Sequence, residues 1–383
     1  IYLGDTTGSL NATLANGRLG NNDNTTLANN IVTQANASGN ILTISNQAVA
    51  SNGNLLLNGT ITLNHDLVID TLNKTTLAGA ITGNGPGYKL SITGNGTTTI
   101  SSTGSIGVGV NEVIKSGTGT LILSAANPAF VGNLKIDRGT LTLNTANTLG
   151  AGATVTLGNS LVGEDATINL VSAANGVASN ISVAAGAGTR TIAWTIGNVT
   201  VVPISGNISL ANNLILTQTG VPGGASDKKS IYSGDITGTG NLFLRDATDP
   251  ALAVVNRTGP ITLSGTSINN MGTITNEDTL GKGLSEISGN LGGNVDTIIQ
   301  DSVGAGNNPG IGALTLSGNN VAFVGGVEVK RGTLKVTSAA GLNSSNTVSV
   351  SAAAFFRLNE NISIAGLNDG IGGGGSVGNS NAS

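Results

Sequence analysis

The stretch LILSAANPAFVGNLKIDRGTLTLNTANTLGAGATVTLG fills Leu121–Gly158, and LTLSGNNVAFVGGVEVKRGTLKVTSAAGLNSSNTVSVS fills Leu314–Ser351. The two superimpose without a gap at a constant offset of 193 positions, from 121 to 314. The shared residues include the runs Ser-x-x-Asn, Phe-Val-Gly and Arg-Gly-Thr-Leu, and many other positions exchange one aliphatic side chain for another. A gapless repeat of this length predicts that one supersecondary unit is built at least twice, so the chain is a repeat array.

The composition favours a thin, continuous aliphatic core. Of 383 residues, 59 are Gly, only 2% are aromatic and 9% are charged, whereas about 25% are charged in ordinary globular domains. Hydrophobic residues still make up 38%, but Trp194 and the few Phe and Tyr residues cannot fill a broad core. A narrow core that runs along the whole chain is typical of a solenoid.

The charge balance argues against a nucleic-acid partner. The formal net charge is −4 and the pI is about 4.9, and the densest basic pair is Lys228-Lys229, far short of a phosphate-binding patch. No run approaches the roughly 20 apolar residues of a spanning helix. The absence of Cys excludes disulfides and thiolate metal sites. Because the chain starts at Ile1 without Met and ends in a Gly-rich segment, we expect it to be part of a longer polypeptide.

Short runs with period-two alternation recur along the chain and predict β-strands. Each run places Ile, Val or Leu on one face and Thr, Ser or Asn on the other, and Gly- and Asn-rich turns separate the runs. No helix is predicted, because the nearest candidate, Thr347–Phe356, lacks a 3.6-residue stripe. The clearest strand runs are Ile41–Ile44, Thr60–Leu63, Thr120–Leu123, Thr140–Leu143, Thr154–Leu157, Asn207–Leu210 and Gly312–Leu316.

Spacing inside the repeat predicts how the strands stack. Leu121 and Leu123 precede Leu141 and Leu143 by 20 positions, and the pair Leu134/Ile136 precedes Val155/Leu157 by 21. A coil of about 20 residues would therefore place each pair directly beneath its counterpart, at the ~4.8 Å spacing of paired strands. The predicted fold is all-β, a parallel β-helix (β-solenoid) that forms a single elongated rod of roughly eighteen to twenty coils, on the order of 90 Å long.

No shift in composition marks a domain boundary, so residues 1–383 are interpreted as one continuous β-helix fragment. The repeat units lie near residues 116–158 and 311–351. A weaker copy lies near residues 238–263, where Gly238–Leu244 is similar to Gly117–Leu123 and Gly259–Leu263 is similar to Gly139–Leu143. Spacing drifts through Val199–Ser230 and Asp246–Leu280, which predicts longer loops there.

The segment from Lys115 through Asn127, with Phe130-Val131-Gly132 and Arg138–Leu141 after it, resembles the autotransporter passenger-associated strand repeat. That motif runs K-x-G-x-G-T-L-x-L-S-G-x-N-x-[YF]-x-G and continues a few residues later to x-G-T-L. The segment Leu314–Leu334 matches its second part, although Ile311-Gly312-Ala313 replaces the Gly-x-Gly opening. Near the end, Ile364–Gly370 is similar to the coil that often follows such repeats.

The resemblance implies a right-handed parallel β-helix that a Gram-negative bacterium secretes to its surface. It also implies a C-terminal outer-membrane β-barrel of the same polypeptide, outside this chain, that anchors the protein in the outer membrane. Members of this family serve as adhesins, surface layers, protective coats or, less often, carriers of enzymatic domains. The implied partners are other copies of the chain or molecules of a host or neighbouring cell surface.

No catalytic constellation is predicted. The single histidine, His65, is interpreted as capping a turn between two strands, and there is no Cys nucleophile. Glycan-cleaving β-helices need clustered carboxylates with a base or a cation. The densest acidic groups are expected in solvated turns, and they are Glu164-Asp165, Asp246 with Asp249, and Glu277-Asp278.

No cofactor and no metal site is predicted either. Calcium-binding nonapeptides and EF-hand spacings are missing. The Gly-x-Gly-x-x-Gly at Gly370, Gly372 and Gly375 is discarded because no helix follows to receive a phosphate. Trp194, which alternates with Ile192 and Ile196, is expected in the core. Phe130 and Phe323 occupy equivalent repeat positions and are expected to stack inside or against a turn.

The favoured function is therefore non-enzymatic, a bacterial surface protein whose rigid rod mediates adhesion or self-assembly into a layer or fibre. The main alternative is a polysaccharide-degrading enzyme on the same scaffold, which a cluster of carboxylates with a base on one face would support. A string of Ig-like sandwiches is a third possibility, but the period of about 20 residues and the scarcity of aromatic residues argue against it.

Overall fold

A computed structural model describes residues 1–7, 10–16, 24–34, 39–47, 53–85, 87–144, 149–161, 163–171, 177–195, 201–220, 229–248, 261–277, 284–302 and 312–379. Over these residues every regular element is a β-strand, which confirms the predicted all-β class. The chain divides into two compact units, unit 1 (Ile1–Gly188) and unit 2 (Thr189–Ser383).

Unit 1 is a stack of parallel turns built from twenty described strands. They are β1 (Tyr2–Leu3), β2 (Ala12–Asn16), β3 (Thr25–Leu27), β4 (Ile31–Thr33), β5 (Leu42–Asn46), β6 (Asn54–Leu57), β7 (Ile61–Leu63), β8 (Leu67–Thr71), β9 (Lys74–Leu77), β10 (Ala80–Gly83), β11 (Tyr88–Thr93), β12 (Thr97–Ile100), β13 (Ser105–Ile106), β14 (Val110–Lys115), β15 (Thr120–Leu123), β16 (Asn133–Ile136), β17 (Gly139–Leu143), β18 (Thr154–Leu157), β19 (Ala166–Val171) and β20 (Asn180–Val183).

Three sheets form the walls of unit 1. Sheet 1 has the order β1-β4-β7-β10-β13, sheet 2 has β2-β5-β8-β11-β14-β16-β18-β20, and sheet 3 has β3-β6-β9-β12-β15-β17-β19. Successive turns contribute one strand to each of sheets 2 and 3, and those up to β13 contribute one to sheet 1 as well, so every neighbour is parallel and comes from the next turn of the chain. This order is that of a parallel β-solenoid.

Unit 2 repeats the architecture with nineteen described strands. They are β21 (Arg190–Thr195), β22 (Val201–Ile204), β23 (Ile208–Leu210), β24 (Leu214–Gly220), β25 (Lys229–Tyr232), β26 (Ile236–Gly238), β27 (Leu242–Thr248), β28 (Ile261–Leu263), β29 (Ile268–Asn270), β30 (Gly272–Asn276), β31 (Leu284–Ile287), β32 (Val295–Asp301), β33 (Ala313–Leu316), β34 (Gly326–Arg331), β35 (Thr333–Val336), β36 (Thr347–Val350), β37 (Phe355–Leu358), β38 (Gly366–Asp369) and β39 (Ser376–Asn379).

The walls of unit 2 are again three parallel sheets. Sheet 4 has the order β21-β24-β27-β30-β32-β34-β36-β38, sheet 5 has β22-β25-β28-β31-β33-β35-β37-β39, and sheet 6 has β23-β26-β29. The segment Thr347–Phe356, the nearest helix candidate, forms β36 and the start of β37. The right-handed sense of the coil, the single rod and the single continuous domain stay predictions.

Aliphatic columns run through the interior, as the repeat spacing predicts. Leu121 pairs with Leu141 and Leu123 with Leu143 across β15 and β17, and Leu134 pairs with Val155 across β16 and β18. Burial of apolar surface stabilises by about 25 cal/mol per Å², so each added turn extends the core. One column of unit 1, buried throughout, contains Leu42, Leu67, Leu90, Val113, Leu134, Val155 and Ile181.

The second copy of the repeat builds the same register in unit 2. Leu314 pairs with Leu334 across β33 and β35, and Val327 pairs with Val348 across β34 and β36. In the weaker copy the register differs, because Leu242 of β27 pairs with Ile274 of β30, and β28 belongs to another sheet. The stretch between them, residues 249–260, lies outside the described residues.

The expected eighteen to twenty coils are wrong. Sheet 3 stacks seven described strands in unit 1, and sheet 4 stacks eight in unit 2. Most turns are longer than 20 residues because they carry a third strand. Leu42 and Leu67, for example, pair at a separation of 25 positions, and Leu242 and Ile274 at 32.

A loop in each clear repeat copy explains why those turns are short. In unit 1, sheet 1 ends at β13, and the next turn carries Asn127 in place of a strand. The Asn127 side-chain carbonyl accepts a hydrogen bond from the Ile106 backbone N–H at 2.7 Å. Its amide donates to the Ala125 carbonyl at 2.9 Å, and the fully buried Phe130 fills the space behind it. Asn127 thereby satisfies a backbone group that a further strand would otherwise pair.

Unit 2 uses the same device in its own repeat copy. Leu291 continues sheet 6 through a bridge to Ile268, and its N–H donates to the Asn320 side-chain carbonyl at 2.9 Å. Asn320 also donates to the Gly341 carbonyl at 3.0 Å, and Phe323 is fully buried. The prediction that both phenylalanines stack inside or against a turn is confirmed. The shared Asn and Phe of the repeat thus end one sheet of the solenoid.

Replacing Asn127 by Ala tests this role. Loss of the side-chain carbonyl leaves the buried Ile106 N–H without its acceptor, so we expect a destabilisation of about 1–3 kcal/mol. The free energy of unfolding is to be measured by urea denaturation. Asn144→Ala is the matched control, because Asn144 is exposed and should change stability by less than about 0.5 kcal/mol. Equal stability of the two variants would contradict the role.

Candidate functional site

One of the three acidic groups noted in the sequence, Glu164-Asp165, lies at the corner at which the first repeat copy turns from sheet 2 into sheet 3. We call it the motif corner, and it comprises three segments, Lys115–Gly119, Arg138-Gly139 and Glu164-Asp165. Successive turns supply them, at and after the end of β14, at the start of β17, and just before β19. The Gly139 N–H donates to the Asp165 carbonyl at 3.0 Å. The three segments therefore stack directly.

The Gly-x-Gly of the motif allows the turns to approach closely at this corner. A methyl group added at Gly117 or Gly119 would overlap a backbone carbonyl oxygen of the preceding turn, that of Gly94 or Gly96 respectively. Neighbouring strands must stay about 4.8 Å apart to form their ladder bonds, so the corner has no room for a Cβ. The two glycines are required by close packing rather than by a phosphate ligand.

Lys115 occupies a core position and not the surface. It pairs with Ile92 on one side and Ile136 on the other, and only 1% of the residue is exposed. Its ammonium group donates to the Gly117 carbonyl. Burial, and secondarily the positive charge of Arg138, lowers the pKa of Lys115 to about 8. The first residue of the motif therefore binds the backbone of its own corner.

Arg138 links adjacent turns on the outside of the corner. Its guanidinium donates to the Glu164 carboxylate at 2.9 Å and also to the Ser116 carbonyl. Both side chains of the ion pair are more than a third exposed, so its net contribution to stability is small, about 0–1 kcal/mol. Glu164 therefore contacts the arginine of the preceding turn.

Unit 2 shows the same pairing of an arginine with an acid from a neighbouring turn. Arg331, which corresponds to Arg138 in the second repeat copy, donates to Asp301 at 2.5 Å. Arg245 donates to Glu277 at 3.0 Å. Gly139 and Gly332, the residues after the two repeat arginines, have positive φ angles of 75° and 74°. Only glycine adopts this conformation readily, which explains the shared Arg-Gly.

The acidic residues that the sequence singled out have different surroundings. Glu164 and Asp165 lie in a loop, as expected. Glu277 follows β30 and forms an ion pair with Arg245. The turn expected at Asp246 is wrong, because Asp246 lies in β27 and pairs with Gln218; period-two strand pairing overrides its preference for turns. Asp249 and Asp278 lie outside the described residues.

The other singled-out residues have structural surroundings. His65 lies between β7 and β8, where its backbone N–H donates to the Thr33 hydroxyl at 3.0 Å, which confirms the turn interpretation. Trp194 is fully buried, as is Ile192, which confirms the core assignment, while Ile196 lies outside the described residues. Gly370 and Gly372 precede the strand β39 rather than a helix.

The chemistry open to the motif corner is limited. An open groove of about 390 Å³ is lined by Thr118, Gly139, Gly163, Glu164 and Asp165. A general base for glycan cleavage must reach the substrate proton, but Lys115 is buried and is not among the residues that line the groove. Over the part of the chain that the structure describes, no three His, Cys, Asp or Glu side chains gather as a metal site. The corner is built to join turns.

A second groove was not predicted from the sequence. It lies in unit 2 on the outer side of β34, β36 and β38, and has a volume of about 490 Å³. Glu328 and Lys330 line it and pair with each other at 3.1 Å. Period-two alternation in β34 places both on one face and was the available signal, but only the stacking of three turns makes the groove. Its other lining residues are Ser349, Ser351, Asp369, Gly370 and Ile371.

The chain matches no protein-family model, no curated protein and no solved structure. Among the described residues there is no helix long and apolar enough to cross a membrane. The functional argument therefore rests on the residues and their geometry.

Replacing Gly119 by Ala tests the close approach at the motif corner. The added methyl group would push apart two turns that share a hydrogen-bond ladder, so we expect a destabilisation of about 1–3 kcal/mol in thermal or urea unfolding. Gly39→Ala is the control, since no atom lies within 4 Å of the position of its added methyl group. If both variants unfold like the parent protein, the corner tolerates a side chain and the argument fails.

Replacing Lys115 by Met tests the burial of its charge. Below pH 8 the lysine is charged in both states but desolvated only in the folded one, so Lys115→Met should be more stable by about 1–2 kcal/mol at pH 7, after allowance for the lost hydrogen bond. Between pH 8 and 10.5 Lys115 is protonated in the unfolded chain but neutral in the folded one. The free energy of unfolding of the parent protein therefore increases as the pH rises.

The advantage of the Met variant should therefore shrink in urea denaturation at pH 10. Lys74→Met is the control, because Lys74 is exposed and its replacement should alter neither the stability at pH 7 nor the pH slope. An advantage of Lys115→Met that is equal at pH 7 and pH 10 would count against the buried charge.

Proposed function

We propose that the chain is a non-enzymatic surface protein of the autotransporter passenger type, a right-handed β-helical rod that acts in adhesion or self-assembly. The observation that carries this proposal is the structural use of the motif. Gly117 and Gly119 allow the turns to approach, Asn127 and Phe130 lie where one sheet ends, and Lys115 binds the backbone of its own corner. Because the residues of the motif have structural roles in the stack of turns, they support a role in building the solenoid rather than in catalysis.

The surroundings of the acidic candidates support the same choice over a glycan-degrading enzyme. Retaining and inverting glycosidases need two carboxyl groups that face one substrate, one of them able to hold a proton. Glu164 and Glu277 instead lie in different units and each binds an arginine of an adjacent turn. In each case the guanidinium occupies a carboxylate oxygen that a substrate would have to reach.

The proposed location follows from the family resemblance. The protein would be exported to the bacterial cell surface and held in the outer membrane by a C-terminal β-barrel of the same polypeptide. Its proposed partners are other copies of the chain, or molecules of a host or neighbouring cell. With a net charge of −4 and few basic residues, the chain is poorly suited to bind nucleic acid.

An assay with beads coated with the purified chain distinguishes adhesion or self-assembly from glycan degradation. We expect the beads to cluster with one another or to adhere to cell monolayers, and negative stain to show narrow particles. The same protein should release no reducing ends from a panel of bacterial and plant polysaccharides. Glu164→Gln and Glu277→Gln should behave like the parent protein in both assays, because neither carboxylate acts chemically.

Two results would overturn the proposal. Release of sugar that falls at least tenfold, about 1.4 kcal/mol, in either Gln variant would establish the enzyme. Beads that neither cluster nor adhere, together with globular particles in negative stain, would remove the adhesive rod.

A further inference from the structure

The outer side of sheet 3 in unit 1 carries a regular array of threonines, which we call the threonine face. It is formed by four consecutive strands of the sheet, β12, β15, β17 and β19. One rank stacks in register through the strand pairs and contains Thr97, Thr120, Thr140 and Thr167. The second rank, two residues further along each strand, contains Thr99, Ile122, Thr142 and Asn169.

Strand alternation fixes the direction of these side chains. The residues between the ranks, such as Leu121 and Leu141, are buried in the core, so the ranks point outward. They are half-buried by their own neighbours, and Thr142, at the centre of the array, is only 8% exposed. The threonines therefore pack side by side into a flat surface with little rotamer freedom.

The hydroxyl groups of this face have no protein partner. Among the described residues the side chains of Thr97, Thr99, Thr120, Thr140, Thr142 and Thr167 form no hydrogen bond. Outward threonines of sheet 2 behave differently, since Thr154 and Thr156 both donate to Asn133 at 3.2 Å. None of these hydroxyl oxygens is among the buried polar atoms that lack a partner, so each is left to bind water or a ligand outside the protein.

The threonine face is also free of charge. The four strands that form it read TTTI, TLIL, GTLTL and ATINLV and contain neither a charged nor an aromatic residue. The adjoining sheet 2 carries Lys89, Glu112 and Lys135 on its strands. A face without cations is unsuited to phosphate backbones. Without Trp, Tyr or Arg it also lacks the usual anchors of a protein interface.

Its size argues further against a protein partner. Four strands at about 4.8 Å and two ranks about 6.6 Å apart cover a patch of roughly 14 by 7 Å, far below the ~800 Å² that each partner buries in a standard interface. A small, flat, rigid patch gains most from a ligand that is itself flat, rigid and periodic, because neither side loses conformational freedom on contact.

We propose that the threonine face binds the surface of ice. Hydroxyl and methyl groups at a fixed spacing of about 4.8 Å by 6.6 Å hold water molecules close to the repeat of oxygen atoms on an ice plane. The hydroxyls hydrogen-bond this water and the methyl groups seat between the rows. The rigid ladder keeps the pattern in place before the ice arrives. This activity goes beyond the proposed function and does not depend on it.

Growth of ice in the presence of the whole chain tests the proposal. The parent protein should shape single ice crystals and become enriched in a slowly growing ice hemisphere. Thr140→Lys, which places a long charged side chain at the centre of the face, should reduce the enrichment about tenfold. Thr140→Val keeps the shape and the methyl groups but removes one hydroxyl, so its enrichment should fall less.

The matched control is Thr154→Lys on sheet 2, which adds the same charge away from the face and should keep the parent's enrichment. Circular dichroism of each variant checks that the solenoid is folded; if Thr140→Lys does not fold, Thr140→Val decides. Exclusion of the parent from ice would overturn the proposal, as would equal behaviour of the two Lys variants. Binding to microcrystalline cellulose or chitin without binding to ice would also overturn it and assign the face to a crystalline polysaccharide.

Discussion

The structure depends on one constraint, the in-register stacking of equivalent backbone segments from successive turns. Parallel ladder bonds hold neighbouring turns at about 4.8 Å, and the same spacing brings each core side chain onto its counterpart, as with Leu121 on Leu141. The paired strands of successive turns must stay in register, so residues cannot be inserted or deleted within them. All variation must therefore be placed at the corners and loops.

The corners show how the sequence meets that constraint. Gly117 and Gly119 give up their side chains so that two turns can approach, while Gly139 takes a positive φ so that the chain can bend sharply into the next strand. Lys115 differs from these glycines, because its charged side chain lies in an aliphatic column and donates to the Gly117 carbonyl from the inside of the corner. Asn127 and Asn320 end a sheet without leaving its last strand unsatisfied. In both units the residues that the repeat copies share thus serve the close packing and the hydrogen bonding of the backbone.

These structural roles bear on function because they extend to acidic residues, some of which were candidates for catalysis. The carboxylates of Glu164, Glu277 and Asp301 each bind an arginine of a neighbouring turn. What the walls then offer to the outside is mostly threonine, serine and asparagine at regular spacing, interrupted by paired charges. Such walls suit recognition by shape and periodicity. The four strands of the threonine face in unit 1 keep that periodicity without a charged residue.

The sequence by itself determined the all-β class, the parallel stacking and the register of both clear repeat copies, because period-two alternation and a coil length of about 20 residues are local properties of the chain. It also located Trp194, Phe130 and Phe323 in the interior. Only the tertiary structure decided the length of the other turns, the strand position of Asp246, the burial of Lys115 and the pairing of Arg138 with Glu164. Those outcomes depend on which residues of adjacent turns meet across the stack, and the loops that separate them vary in length without a periodic signal.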